Sequence, residues 1–152
     1  MKFNYLMLVG VVLMLLPRLQ KDLPRGIRNN NAGNLENNGI DWEGLSSNQT
    51  DSRFYQFDSP VMGIRALART LKTYQSKYNI VTVSDIIDRW APPNENDTEA
   101  YKHHVASILG VNQYEVIDVN KYLVPLTESI ILHENGVQPY PMSLIVEGVS
   151  LA

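Results

Sequence analysis

The sequence predicts a mainly α single domain with an irregular loop or small hairpin region near its start, preceded by an N-terminal membrane helix. Three observations predict it: an apolar run at the N-terminus, an Asn- and Gly-rich stretch behind it, and a series of capped segments with helical apolar spacing. At 152 residues the chain accommodates one domain with a real core. Its 44% hydrophobic and 19% charged content is that of a folded protein.

The first element is the run from Tyr5 to Leu16, flanked by Lys2 and by Pro17-Arg18. Twelve helical residues span only ~18 Å, short of the ~30 Å hydrocarbon core. Including the flanks from Phe3 to Leu19, with Lys2 and Arg18 reaching outward, brings the segment closer to a span. No small-residue cleavage site follows the run, so a retained anchor over residues 1–20 is favoured over a cleaved signal or a partner-bound helix. Arg18, Lys21, Arg25 and Arg28 would hold the domain on the cytoplasmic side of a cell membrane, a rule that leaves its orientation in any other membrane open.

The domain proper covers residues 21–152. Residues 29–53 are rich in Asn and Gly and read as loops with a short hairpin. Phe54, Tyr55 and Phe57 then return the chain to the core. Ser59-Pro60 opens a helix whose apolar face is Ile64, Leu67, Ala68, Leu71 and Tyr74. Ser84 is the expected cap of a short helix ended by Pro92-Pro93. Asp97 or Thr98 starts the next, which Gly110 closes. Asp118 or Asn120 opens another through Leu123, Leu126, Ile130 and Ile131, ending at Asn135-Gly136, and Ser143 caps a last short helix.

Several kinds of chemistry are excluded. A net charge of −3 and a pI near 5.5 give no basic field for nucleic acid. No cysteine means no disulfide and no thiolate metal site. His103 and His104 are adjacent, so on a helix they point about 100° apart and cannot share a cation. No nucleophile elbow and no phosphate-binding glycine loop occurs. Neither a metal nor a cofactor is expected.

Carboxylates remain. Breaking a glycosidic bond requires a carboxylic acid kept protonated near neutral pH, and burial against apolar groups supplies that. Glu134, in Leu132-His133-Glu134-Asn135-Gly136, closes an apolar helical segment and is the candidate acid. A plain polar helix end has the same pattern. A negative charge there opposes the helix dipole, which tilts slightly toward a functional reason. Trp42, Tyr55, Tyr101 and Tyr140 offer aromatic faces and Asn29 to Asn31 offer amides, the combination that binds sugars, although each ring could equally be core.

The phrases RGIRNNNAGNL, DWEG, DSRFYQFDSPVMGIRALARTLKTY, WAPPNENDT and HENGVQPY resemble a module of phage and prophage proteins described as virion structural or lysozyme-like. The resemblance covers residues 25–150, with Ala32 where proline is expected. A looser resemblance is to glucosaminidases and lytic transglycosylases of the lysozyme superfamily. Asn34-Leu35, Trp42-x-Gly44, Phe54-x-x-Phe57-x-Ser59 and Gly63 follow the later phrases of those enzymes in order. The acid-bearing phrase that they place first resembles LTESIILHENG, here at the other end of the chain, as in a circular permutation.

These resemblances imply a lysozyme-like fold, Glu134 as general acid, and Asn34 facing it across a groove. Trp42, Tyr101 and Tyr140 would contact substrate, and Glu36 or Glu43 would be a possible second acid. The implied function is a membrane-anchored virion protein, held by residues 3–19, that cleaves peptidoglycan strands during genome entry. Of the two reaction types, a lytic transglycosylase is preferred to a hydrolase because no second acid stands beside Glu134. The alternative is a catalytically silent structural protein linking capsid or vertex proteins to an internal membrane.

Overall fold

The computed structural model describes residues 22–91 and 97–152. The expected anchor over residues 1–20 lies outside the described residues. Among those described, no helix is long and apolar enough to cross a membrane.

The described part is mainly helical: α1 (Arg25–Arg28), α2 (Pro60–Tyr78), α3 (Val83–Trp90), α4 (Thr98–Leu109), α5 (Leu123–Asn135) and α6 (Met142–Ser150). The expected hairpin region between α1 and α2 contains two isolated antiparallel bridges, Glu36 with Phe54 and Leu45 with Phe57, and no strand among the described residues.

Helix α2 is the axis of the fold. Ser59 caps it, accepting from the Met62 N–H, with Pro60 at the first helical position. Asn79 ends it in the left-handed conformation. Ile64, Leu67, Ala68 and Leu71 have no exposed surface and anchor a core shared with Ile86, Ile87, Val105, Leu126, Ile130 and Ile131. Helix α6 lies chiefly on α2. Gly148 allows this closeness, since a Cβ there would stand 2.6 Å from an Ile64 methyl. A smaller cluster of Tyr55, Phe57 and Ala66, backed by Leu35, Trp42 and Met62, seats the loop region on the other side of α2.

Three expected caps are corrected. Thr82, not Ser84, caps α3 by accepting from the Asp85 N–H, while the Ser84 N–H donates to the Gln113 carbonyl. Neither Asp118 nor Asn120 caps α5. The carbonyl of Asp118 forms a turn with the N–H groups of Lys121 and Tyr122, and α5 begins one residue later with no side-chain cap. Helix α6 starts after Pro141, whose carbonyl accepts from Leu144 and Ile145, so Ser143 is already inside it. Asp97 caps α4 and Gly110 closes it at positive φ, as the sequence predicts.

Candidate functional site

Three segments far apart in the chain converge at the C-terminal end of α5. Asn135, the last residue of that helix, donates through Nδ2 to the Ala32 carbonyl at 2.9 Å and to the Ile131 carbonyl at 2.8 Å. This pins the loop after α1 against the helix end. The loop is itself built on amides. Buried Asn31 donates to the Leu35 and Tyr55 carbonyls and accepts from the Leu35 N–H. Asn30 donates to the Phe57 carbonyl, and Asn29 to Asp51. The asparagine cluster therefore folds the loop; its amides are spent internally rather than offered to a sugar.

Asp51 is the second hub. Its carboxylate accepts from Arg25 Nε at 2.6 Å and Nη2 at 2.5 Å, from Asn29, and from the backbone N–H groups of Arg53 and Phe54. The Arg25 guanidinium, followed by those donors, holds the Asp51 carboxyl well below the usual carboxylate range.

On this frame the loop carries Asn34 at φ 50°, a left-handed conformation that asparagine tolerates better than most residues. Its Nδ2 lies 3.2 Å from Oε2 of Glu134 and 3.4 Å from the Glu134 carbonyl. The indole N–H of Trp90, the last residue of α3, donates to the other carboxylate oxygen, Oε1, at 3.2 Å. Trp90 is held edge-on by Tyr74 of α2 at 6.4 Å between ring centroids. Close behind the site is Gly33, where a Cβ would stand 2.9 Å from the Trp90 ring. Burial pushes the Glu134 carboxyl above its ordinary value, and the Asn34 and Trp90 donors pull part of the way back.

Glu134 opens onto a cleft of about 430 Å³ lined also by Asn34, Leu35, Glu36, Arg53, Phe54, Tyr74, Arg89 and Trp90. An acid of raised pKa, oriented through both oxygens and facing an open cleft of mixed aromatic and polar lining, can deliver a proton to a bound acceptor.

The structure thus brings Asn34 to Glu134 and puts Glu36 in the same cleft. Glu36 is exposed and tied to Arg53 at 2.6 Å. Glu43 does not line the cleft; it pairs with Arg65 at 2.7 Å on the surface. Trp42 lines a neighbouring groove together with Leu35, Glu36, Tyr55, Tyr78 and Arg89. Tyr101 is fully buried, stacked on His133 with centroids 3.4 Å apart, and has no exposed face for a substrate. Burial and the nearby Glu134 charge hold its phenol far above its ordinary value. Tyr140 packs half-buried against the main core and lines neither groove. Trp90 is a site residue that sequence reasoning missed. Its only signal is its place at the end of a helix before a double proline. Among the described residues no cluster of His, Asp or Glu could hold a metal ion.

No protein-family model matches the chain. It is similar to Protein P5 of Pseudoalteromonas phage PM2, with 38% identity over 135 residues that cover 87% of this chain and 84% of that protein. At that identity and coverage the chain belongs to the family of phage protein P5.

Proposed function

We infer that the chain is a component of a phage particle whose Glu134 cleft cleaves the glycan strands of the bacterial cell wall. The two parts of this reading have different support. Kinship with a phage PM2 protein supports the particle. The cleavage rests on one observation: Glu134 is a partly buried carboxyl of raised pKa held by Asn34 and Trp90 at the edge of an open cleft.

In this reading the fold is a permuted lysozyme-like domain, with the acid helix last in the chain. A bound strand lies along the cleft with its glycosidic oxygen at Glu134. The carboxyl gives its proton to the leaving oxygen as the bond to the anomeric carbon breaks. The resulting carboxylate can then take the proton from a hydroxyl of the same sugar as that oxygen closes on the anomeric carbon. This transglycosylase course needs one acid, which suits a cleft whose other carboxylate, Glu36, is engaged by Arg53. Donors on both oxygens favour the ionised form, so Asn34 and Trp90 stabilise the carboxylate made by the first step.

A second reading has its own support: a silent structural protein joining capsid or vertex proteins to an internal membrane. Kinship with a phage protein favours it without any appeal to chemistry, and the apolar N-terminal run fits membrane attachment. A zymogram of the detergent-solubilised full chain on purified cell wall separates the two. Clearing by the wild type and none by Glu134→Gln is the enzyme's result. Equal clearing by both refutes Glu134 as the acid, and no clearing by either leaves the structural role.

A further inference from the structure

The Glu134 cleft and the groove lined by Trp42 share Leu35, Glu36, Tyr74 and Arg89, so they are adjacent, and Arg89 borders both. Arg89 is exposed, and its guanidinium carbon lies 4.4 Å from the centre of the Tyr78 ring and 5.3 Å from that of Tyr74. Stacking on two rings fixes a planar donor fork in advance. Four other cations of the domain hold carboxylates, Arg25 on Asp51, Arg53 on Glu36, Arg65 on Glu43, and Lys102 on Asp88 and Glu99, while Lys77 and Lys121 lie over tyrosine rings and line neither groove. Arg89 pairs with no carboxylate among the described residues. Its natural partner one turn back, Asp85, is turned away to the Thr82 hydroxyl at 2.7 Å. A cation stacked on aromatic rings, without a carboxylate partner, and bordering two adjacent grooves is equipped to bind an anion on the ligand.

We propose that Arg89 is a specificity-determining residue that binds a carboxylate of the glycan next to the unit cleaved, so that the two grooves select carboxylate-bearing glycan over uncharged N-acetylated polymer. This rests on the glycan reading above. Two sources can supply the carboxylate: the lactyl group of a peptide-stripped wall strand, or the peptides attached to an intact one.

The test measures binding to the full chain in detergent, in a Glu134→Gln background that blocks turnover. Three probes of equal sugar length are used: peptide-bearing wall strands, peptide-stripped wall strands, and an N-acetylglucosamine oligomer. The acidic strands are expected to bind about three- to five-fold tighter than the neutral one, the scale of an exposed ion pair, and the margin should shrink as salt is raised. Adding Arg89→Gln should erase the margin between acidic and neutral probes, while Arg89→Lys keeps part of it. A preference for stripped strands assigns the lactyl carboxylate, and one confined to intact strands assigns the peptide. Equal binding of all three probes, or a margin that survives Arg89→Gln, overturns the role of Arg89 alone. No binding of any probe overturns the glycan reading and this one with it.

Discussion

A carboxyl group buried beside apolar atoms resists ionisation, and the two donors aimed at Glu134 only partly relieve it. The Trp90 indole favours the charged form, so Trp90→Phe removes that help while keeping a ring in place. The Glu134 pKa should then rise further, which a carboxyl-carbon NMR titration of the full chain reads directly; a fall would mean that the indole does not act on the acid. The same group affects folding. With its folded pKa raised, the native state binds more protons than the unfolded chain, so stability is fullest below the ordinary glutamate value and falls as pH rises through the raised one. Glu134→Gln should therefore melt at a higher temperature than wild type at neutral pH, with the difference closing as the medium is acidified. A gap that widens on acidification would contradict the sign of the shift.

At the scale of elements, the site depends on how α1 and its loop are seated. Gly26 of α1 is buried, and a Cβ there would meet Oδ1 of Asn135 at 2.6 Å, Oδ1 of Asn34 at 2.8 Å and the Asn31 carbonyl at 2.9 Å. Alanine ordinarily gains ~0.5–1 kcal/mol over glycine in a helix. Overpacking costs ~1–3 kcal/mol, so the steric term decides the sign. Gly26→Ala should destabilise the domain by about 1–2 kcal/mol in chemical denaturation and displace Asn34 from Glu134. The Asp51 hub works on the same loop. Asp51→Ala removes the acceptor for Arg25, Asn29 and the Arg53 and Phe54 N–H groups and should lower the stability of the domain at neutral pH. Because the folded pKa of Asp51 is depressed, that contribution is present above its ordinary value and is lost as pH falls below it. Wild type and variant should thus converge in acid, and a constant difference would show that Asp51 acts through packing.

Much of this level is legible in the sequence, and the exceptions have physical reasons. Ser59-Pro60, Asp97 and Gly110 bound their helices because capping is local chemistry. Ser84, Asp118 and Ser143 have the right chemistry in the wrong place. Each lies two to four residues from the actual N-cap position, and tertiary contacts choose among neighbouring candidates. The asparagines at 29–31 look like a binding surface because an amide reads the same whether its partner is a ligand or a backbone carbonyl. Only the folded loop shows that Asn31 has used both ends of its side chain.

Across the whole molecule the acid and its partner are 100 residues apart in sequence. Their meeting is legible in the sequence only through the resemblance of its phrase order to that of lysozyme-like enzymes, which implies Asn34 facing Glu134. Periodicity alone gives Glu134 no more standing than any polar helix end. Trp90 escapes notice because its role is set by where α3 stops relative to α5, a relation that no local pattern encodes. Tyr101 errs the other way: aromatic rings mark cores and sugar sites alike, and this one fills the core between α4 and α5.

The central claim is that Glu134 supplies the proton that breaks a wall glycan. Its most direct test is the rate at which the full chain releases soluble glycan fragments from purified cell wall, measured for wild type and Glu134→Gln. Wild type should release fragments at a measurable rate, reduced at least ~100-fold in the variant, the usual worth of a general acid. Release at equal rates would contradict it.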